Sequence, residues 1–379
     1  ITNYIPALQT AASGEPRFDH DPITGESKGF LIEEQRTNLL TYSEQFDNAA
    51  WTKTRSSITA NVVVAPDGTL TGDKLIANTE SSTSHYAFDG ASLTSGVTYA
   101  FSVYAKAAEW DAIRLQVFAG TGAIFDLSTG TVSYEQNVDS ATIIDAGNGW
   151  YRCTLLYTAD ITSNYNFGFY PYQSGFVINE TYTGDGYSGI YVWGAQLEQG
   201  SFPTSYIPTV ASQVTRSPDA ASMTGTNFSS WYRQDEGTVF VNYSAPTLGG
   251  TTADPYVVGF SGGDASTTTP RISLRLEDSN DSAALQVIDA SGGAQANVQG
   301  GIPVDVTNAR VSATYAVDDF AISVFDNTVA TDTSGYVAAG GITHLHLGHH
   351  TGSLNGHIKK LAYYPKRLSN ATLQALTEE

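Results

Sequence analysis

The chain has 379 residues, which is long for one β-sandwich and comfortable for two. Its 18 basic and 38 acidic side chains give a net charge of −20, which argues against a nucleic-acid partner and against docking on an anionic membrane, because both need a basic surface. Charged residues make up only 15%, and 22 Tyr with 36 Gly favour many short strands joined by tight turns. A neutral or cationic ligand, such as a glycan, is compatible with this charge.

A single cysteine, Cys153, excludes a disulfide within the chain. Its position in a strand-like run predicts an inert thiol in the core. No apolar run approaches the ~20 residues of a membrane-spanning helix, so we expect no membrane insertion. Without a disulfide, core burial must hold the chain together, and oligomerisation or a metal could contribute.

Residues 1–45 show little periodicity. Pro22 and Gly25 predict a turn, and a short apolar piece follows at Phe30, Leu31 and Ile32. We predict that residues 1–45 form an extended lead-in that attaches to a partner.

Residues 46–210 show apolar side chains at every second position, as in Val97, Tyr99, Phe101 and Val103. Such alternation places one face of a strand inward and the other outward. Turn pairs such as Asn148-Gly149 separate the runs. The segment predicts an antiparallel β-sandwich.

Residues 211–230 are small and polar, which predicts a linker, and alternation resumes over 231–379 to predict a second sandwich. Only the C-terminal end has helical spacing. There Leu368 precedes Ser369, and Leu373 and Leu376 follow, which indicates a short capped helix.

Several motifs of the first 210 residues resemble those of bacteriophage structural proteins that carry a jelly-roll, carbohydrate-binding-like module. The lead-in motif runs from Glu15 to Glu26 and continues through Gly29-Phe30-Leu31-Ile32-Glu33 and Arg36-Thr37-Asn38-Leu39-Leu40. The module motifs are Tyr42-Ser43-Glu44-Gln45-Phe46 with Trp51, Tyr99-Ala100-Phe101-Ser102-Val103-Tyr104-Ala105-Lys106, Gly149-Trp150-Tyr151-Arg152, Trp193-Gly194-Ala195-Gln196-Leu197-Glu198 and Tyr206-Ile207-Pro208-Thr209.

The second half is similar to concanavalin A-like (laminin G-like) modules. The similarity lies in Gly237-Thr238-Val239-Phe240, Phe320-Ala321-Ile322-Ser323-Val324-Phe325, Gly356-His357-Ile358 and Tyr363-Tyr364-Pro365-Lys366-Arg367-Leu368-Ser369. Together the two resemblances imply a jelly roll followed by a concanavalin A-like sandwich. They also imply a tail-fibre, head-spike or capsid-decoration protein on the outer face of a virion, a homotrimer with other virion proteins and host cell-surface polysaccharide as partners.

Exposed aromatic rings are the usual platform for glycans, because the C–H face of a sugar stacks on a ring. The candidates are Trp51, Trp110, Tyr170, Tyr172, Tyr182, Tyr187 and Trp231. Most aromatic side chains of a sandwich lie in the core, which is the alternative for each of them. Tyr170 to Tyr172 and Tyr182 to Tyr187 are preferred, because they lie in turn-like, glycine-rich stretches.

Two groups could hold a metal. Five histidines cluster near the C-terminus, and the spacing of His344 and His346 places both on one strand face. The cluster is completed by His349, His350 and His357. By resemblance calcium is the possible cofactor, with carboxylates from Glu180, Asp185, Glu198, Asp318 or Asp319. A solvated, histidine-rich turn is the alternative for the histidines.

Neither HExxH nor the Gly-x-x-x-x-Gly-Lys-[Ser/Thr] phosphate loop occurs in the sequence. We therefore expect a non-enzymatic adhesion protein that binds host-surface glycans. A purely structural spike component without a ligand is the first alternative. A capsule depolymerase is the second, because two carboxylates brought together by the fold are enough to cleave a glycosidic bond.

Overall fold

The computed structural model describes residues 7–82, 85–118, 120–245, 255–263, 269–277, 282–303, 306–325, 327–337, 340–348 and 353–378. Over these residues the chain is all-β, with two short helices. The predicted fold class, antiparallel β-sandwiches followed by a short C-terminal helix, is confirmed. The chain divides into two compact units, each with its own core.

The strands up to residue 199 are β1 (Phe18–His20), β2 (Ser27–Ile32), β3 (Arg36–Asn38), β4 (Thr52–Thr54), β5 (Ser56–Val63), β6 (Gly72–Ala77), β7 (Ser81–Ser82), β8 (Tyr86–Leu93), β9 (Thr98–Ala107), β10 (Ala112–Phe118), β11 (Thr121–Asp126), β12 (Thr131–Gln136), β13 (Ser140–Gly147), β14 (Trp150–Thr158), β15 (Ser163–Tyr172), β16 (Tyr182–Thr183) and β17 (Gly189–Gln199).

The remaining elements are β18 (Val214–Arg216), β19 (Ala221–Thr224), α1 (Thr226–Ser229), β20 (Glu236–Ser244), β21 (Tyr256–Ser261), β22 (Arg271–Glu277), β23 (Ser282–Ile288), β24 (Ala294–Gly301), β25 (Ala309–Ala316), β26 (Phe320–Val324), β27 (Ala330–Asp332), β28 (His344–Leu347), β29 (Gly356–Tyr364) and α2 (Asn370–Glu378).

The first unit contains residues 7–10, Pro22–Gly25 and Arg36–Arg216. Its two six-stranded antiparallel sheets have the orders β12-β11-β10-β15-β8-β4 and β13-β14-β9-β17-β6-β5. Alternate side chains of both sheets form one apolar core, which includes Phe101, Val103, Leu115 and Phe167. Cys153 lies in this core, and burial raises the pKa of its thiol, in agreement with the predicted inert role.

The second unit contains Ala11–Asp21, Glu26–Gln35 and the chain from Ser217 onward. Its sheets have the orders β1-β2-β29-β20-β25-β26-β27 and β19-β28-β21-β22-β23-β24, and their inward side chains form a second core. At the C-terminal helix α2, the Ser369 hydroxyl accepts the backbone N–H of Thr372 at 3.2 Å, which is the predicted cap. Leu373 is fully buried.

The structure divides the predicted lead-in of residues 1–45 between the two units. Strands β1 and β2 form a hairpin whose second strand pairs with β29, so this segment extends a sheet of the second sandwich. Arg17 donates to Glu33 at 2.8 Å and also pairs with Asp219, which ties the start of the hairpin to its end. Ile32 belongs to the second core, and this burial explains why the segment folds as part of the sandwich.

The predicted linker, residues 211–230, is also structured. Within it β18 pairs with β3 in the first unit, and β19 pairs with β28 in the second. The boundary between the units falls after Arg216. Backbone hydrogen bonding thus orders a stretch whose small polar side chains gave no apolar alternation.

Candidate functional site

A cleft of about 440 Å³ lies on the first unit, on strands β8, β10 and β15 and on the turn before β15. The alternation of side chains along the strands explains most of its lining. Leu115, Val117 and Phe167 face the core, so their neighbours on these strands face outward. The lining side chains are aromatic, amide or small, namely Tyr86, Phe88, Gln116, Phe118, Asp160, Ile161, Ser163, Asn164, Tyr165, Asn166 and Gly168. A volume of this size is typical of a small-ligand site.

Glycine forms part of the cleft floor. In the sheet register Gly168 lies between Phe88 on β8 and Gln116 on β10. A Cβ atom at Gly168 would lie 3.0 Å from the carbonyl oxygen of Ala87 and 3.1 Å from Cβ of Phe88. The missing side chain therefore leaves the space above the sheet open between a ring and an amide.

One end of the cleft is aromatic. Tyr86 and Phe88 follow each other on the outward face of β8, with ring centroids 5.4 Å apart, and both are half-buried. The Tyr86 ring stacks on the Tyr170 ring. The Arg114 guanidinium lies 4.8 Å from the centroid of the Tyr170 ring. These contacts fix the orientation of Tyr86, so that the wall is formed before a ligand arrives.

The other end combines an exposed ring with polar groups. Phe118 at the end of β10 is 37% exposed and packs on Tyr157 and Tyr165, with centroids 5.7 Å apart in each pair. Asp160 accepts hydrogen bonds from the hydroxyls of Tyr157 at 3.0 Å and Tyr165 at 2.5 Å. The hydrogen bond from the Tyr165 hydroxyl lowers the pKa of Asp160 most, and that from Tyr157 lowers it further, so the pKa lies below its ordinary value.

Side-chain amides line the cleft beside the rings. Asn164 and Asn166 alternate with core residues on β15, and Gln116 faces outward from β10. Asn164 accepts a hydrogen bond from the Ser92 hydroxyl, whereas the amide of Asn166 has no partner among the residues that the structure describes. An amide offers two donors and an acceptor, so these groups match the hydroxyls of a sugar or another polyol.

Most of the predicted glycan-binding rings are not available to a ligand, which corrects the expectation of exposed platforms. The buried ones are Trp51, Trp110, Tyr170, Tyr172 and Tyr182. Tyr182 donates to the carbonyl of Pro171 at 2.9 Å and packs edge-on against Trp110 and Tyr172. Burial raises the pKa of both Tyr170 and Tyr182. Tyr170 and Tyr172 lie at the end of strand β15 and Tyr182 lies in β16, and their rings belong to one buried aromatic cluster.

Two predicted rings remain at the surface in part. Tyr187 is 65% exposed, with the Lys74 ammonium 4.4 Å from its ring centroid, and it lies outside the cleft. Trp231 in the second unit is half-buried, donates to the carbonyl of Asn227 at 2.6 Å and packs against Tyr363. Trp231 thus acts as part of the packing around the second core.

The proposed carboxylate ligands of calcium are occupied by local hydrogen bonds. Glu180 accepts the backbone N–H of Val177, and Asp185 accepts those of Tyr187 and Ser188. Glu198 is buried and accepts the backbone N–H of Thr204 at 2.9 Å.

The two aspartates of the second unit behave in the same way. Asp318 accepts the backbone N–H of Gly335, and Asp319 pairs with Arg367 at 2.6 Å. Over the described ranges, no three His, Cys, Asp or Glu side chains converge as a metal site would require.

The histidine pair does share a strand face as predicted, because the rings of His344 and His346 are parallel with centroids 5.7 Å apart. His346 is buried, and its Nε2 lies 2.9 Å from both the Ser261 hydroxyl and the Gly263 carbonyl oxygen. His357 pairs with Asp19 at 2.9 Å. His349 and His350 lie outside the described residues.

The cleft was not predicted from the sequence, because most aromatic side chains on alternating strands were interpreted as core. The signal was present on β8, where Tyr86 and Phe88 alternate with the core residue Ala87 and precede Gly90. Aromatic residues on the polar phase of a strand, beside a glycine, mark an outward-facing ring platform.

Comparison with known proteins finds solved structures similar to this chain, among them two laminin regions. No protein-family model and no curated protein matches the chain. Mouse laminin alpha1 chain domains LG4-5 match over 100% of this chain and 95% of theirs, at 10% identity and a TM-score of 0.29. The LG1-3 region of the laminin alpha2 chain matches over 78% of this chain and 67% of its own, at 11% identity and a TM-score of 0.28. Similarity at this level carries neither a fold nor a function over to this chain. Among the described residues, neither helix is long and apolar enough to cross a membrane.

Proposed function

We propose that this chain is a non-enzymatic glycan-binding protein, and that the cleft on β8, β10 and β15 is its binding site. The observation that carries the proposal is the lining itself. Aromatic rings and side-chain amides line the cleft together, and Gly168 forms part of its floor. Rings stack on the C–H faces of sugars, and amides bind their hydroxyls.

The charge of the chain and of the cleft favours this ligand class. Neither Lys nor Arg is present among the described lining residues, and the net charge of the whole chain is −20. A phosphorylated or nucleic-acid ligand would meet no counter-charge in such a cleft. A sugar chain needs none.

The lining of the cleft also supports the proposal that the protein binds glycans without cleaving them. Hydrolysis of a glycosidic bond uses two carboxyl groups roughly 5–9.5 Å apart. Among the described residues that line the cleft, Asp160 is the single carboxylate. Binding without cleavage is therefore the activity that the cleft supports.

The biological setting that we propose is adhesion to a host surface from the outside of a bacteriophage-like particle. Support comes from the lead-in and module motifs of the sequence, which resemble those of tail-fibre and head-spike proteins. Display as a trimer beside other virion proteins would multiply a weak single-site affinity, since linked sites bind with a high effective concentration.

The test is a glycan array followed by calorimetry on the purified chain, with the variants Phe88→Ala and Tyr187→Ala. We expect binding to at least one surface polysaccharide, a loss of about tenfold or more in F88A, and no change in Y187A, whose exposed ring lies outside the cleft. Absence of binding, loss in Y187A alone, or release of reducing ends from the bound polysaccharide would overturn the proposal.

A further inference from the structure

The Asp160 carboxylate belongs to the lining of the cleft. Three hydrogen bonds from other residues end on its Oδ1, from the hydroxyls of Tyr157 and Tyr165 and from the backbone N–H of Ile161 at 2.9 Å. No other described residue donates to Oδ2. The side chain is thus anchored through one oxygen while the other remains free to accept.

Two apolar side chains line the cleft together with Asp160. Phe118 and Ile161 line the same end and are both exposed. The two tyrosines that anchor Asp160 also pack on the Phe118 ring. A ring and an acceptor oxygen are therefore held together by one set of contacts, as the recognition of a sugar ring and its hydroxyl requires.

The charge of Asp160 is not neutralised inside the cleft. Its hydrogen bonds favour the ionised form, and the described lining holds no cationic side chain. An ionised acceptor strengthens a hydrogen bond from a hydroxyl or an ammonium group and repels a second carboxylate.

We propose that Asp160 is the specificity-determining residue of this cleft. Its Oδ2 accepts a hydrogen bond from the ligand, and its charge restricts the ligand to glycans without carboxylate groups. This inference rests on the proposed glycan-binding function and goes beyond it, because it names the class of polysaccharide and the residue that selects it. Uronic-acid and sialic-acid polymers are excluded.

The variant Asp160→Asn is the direct test, because asparagine keeps the acceptor that Tyr157 and Tyr165 use and removes the charge. Asp185→Asn is the matched control: it removes one charge from the same unit at a turn outside the cleft. The probes are neutral gluco-oligosaccharides, chitosan oligosaccharides with free amines, and polygalacturonate oligosaccharides, titrated at low and high salt.

We expect wild type and D185N to bind the neutral or the amine-bearing probe and to reject polygalacturonate. D160N should bind the same probe about tenfold more weakly, as expected for the loss of one charge-assisted hydrogen bond. In wild type, affinity for the amine-bearing probe should fall with added salt, and this readout needs no variant.

Preferential binding of polygalacturonate by wild type, or equal binding of the selected probe by D160N and wild type, overturns the inference. If F88A loses binding while D160N keeps it, the proposed glycan-binding function stands and the role of Asp160 fails. If no surface polysaccharide binds wild type, both fail.

Discussion

Tyr86 and Tyr170 stack with their ring centroids 4.6 Å apart and 22° between the ring planes. Tyr170 is 3% exposed, whereas Tyr86 is half-buried and lines the cleft. Tyr170 was predicted from the sequence as a ligand platform, but in the structure it supports the ring of Tyr86. Of this pair, only Tyr86 lines the cleft.

Replacing Tyr86 by alanine should weaken glycan binding several-fold, because one aromatic face is worth roughly 0.5–1.5 kcal/mol beyond the area that it buries. Tyr86→Phe keeps the ring and should bind within about twofold of wild type. Calorimetry with the polysaccharide chosen on the array measures both. Equal losses in Y86A and Y86F would show that the hydroxyl, and not the ring, makes the contact.

Burial of the Arg114 guanidinium affects the stability of the first unit. Its side chain is 1% exposed, and Nε and Nη2 have no hydrogen-bond partner among the described residues, while Nη1 donates to the Tyr172 hydroxyl at 3.3 Å. Burial of a cation without a carboxylate costs several kcal/mol, against roughly 2 kcal/mol for a buried contact with a ring.

We therefore expect Arg114→Met to unfold at the same or a higher urea concentration than wild type. Arg114→Ala should lose about 2 kcal/mol or more, because it leaves a cavity where the aliphatic stem packs. Urea unfolding of the first unit, followed by intrinsic fluorescence, distinguishes the two. A large loss in R114M would mean that the ring contact outweighs the desolvation of the charge.

The hairpin β1–β2 should stabilise the second sandwich. Ile32 is fully buried in its core, so Ile32→Ala should lower the free energy of unfolding of that unit by roughly 2–5 kcal/mol. Val317→Ala is the matched control, since Val317 is exposed in the same unit. Urea unfolding that leaves I32A and V317A alike would place the hairpin outside the cooperative unit.

The elements that could be predicted from sequence are those where one physical cause dominates. Alternation of apolar side chains predicted the strands around Phe101 and Val311, and a hydroxyl before an apolar turn predicted the Ser369 cap. Both signals are local, because each is set by the side-chain period or by one orphan N–H group.

Long-range pairing explains what could not be predicted. Strand β2 of the hairpin pairs with β29, which lies more than 300 residues later in the chain. No local pattern within residues 18–32 identifies that partner. Likewise, a tyrosine ring lies at the surface or is buried depending on whether a ring from another strand covers it. Tyr86 and Tyr170 come from different strands and are indistinguishable by local pattern.

Asp289 should make the second unit sensitive to acid. Its carboxylate accepts hydrogen bonds from Gly293 N–H, from the side chains of Gln295 and Tyr336, and from both the backbone and hydroxyl of Ser291. These bonds, led by that of the Ser291 hydroxyl, hold the pKa of Asp289 well below its ordinary value.

Because the folded-state pKa is lowered, the stability from Asp289 is present above the unfolded pKa of about 3.9 and is lost as the pH falls towards the folded value. Asp289→Asn should reduce this acid dependence, because the amide does not titrate. It should also destabilise the unit at pH 7, because the NH2 group of the amide would face the N–H and O–H donors that now bind the carboxylate. Urea unfolding between pH 5 and 2 measures it. Parallel pH profiles for D289N and wild type would contradict the assignment.

Asp73 should give the first unit the opposite response. It is 1% exposed on β6, and burial raises its pKa to about 6, although the backbone N–H groups of Phe46 at 3.0 Å and Asn61 at 2.9 Å partly oppose this. A raised folded-state pKa means that the folded chain binds the proton more tightly than the unfolded chain. Stability is then fully present below the unfolded pKa and is lost as the pH rises through about 6.

We expect Asp73 alone to contribute an increase on the order of 2 kcal/mol to the free energy of unfolding of the first unit when the pH falls from 7 to 4. Asp73→Asn should remove most of that increase, because the amide does not titrate, and the difference between the two profiles isolates Asp73 from the other carboxylates. Urea titrations at pH 7, 5.5 and 4 provide the data. If wild type and D73N share one pH profile, the backbone donors keep Asp73 ionised in the folded chain, and burial is the weaker effect.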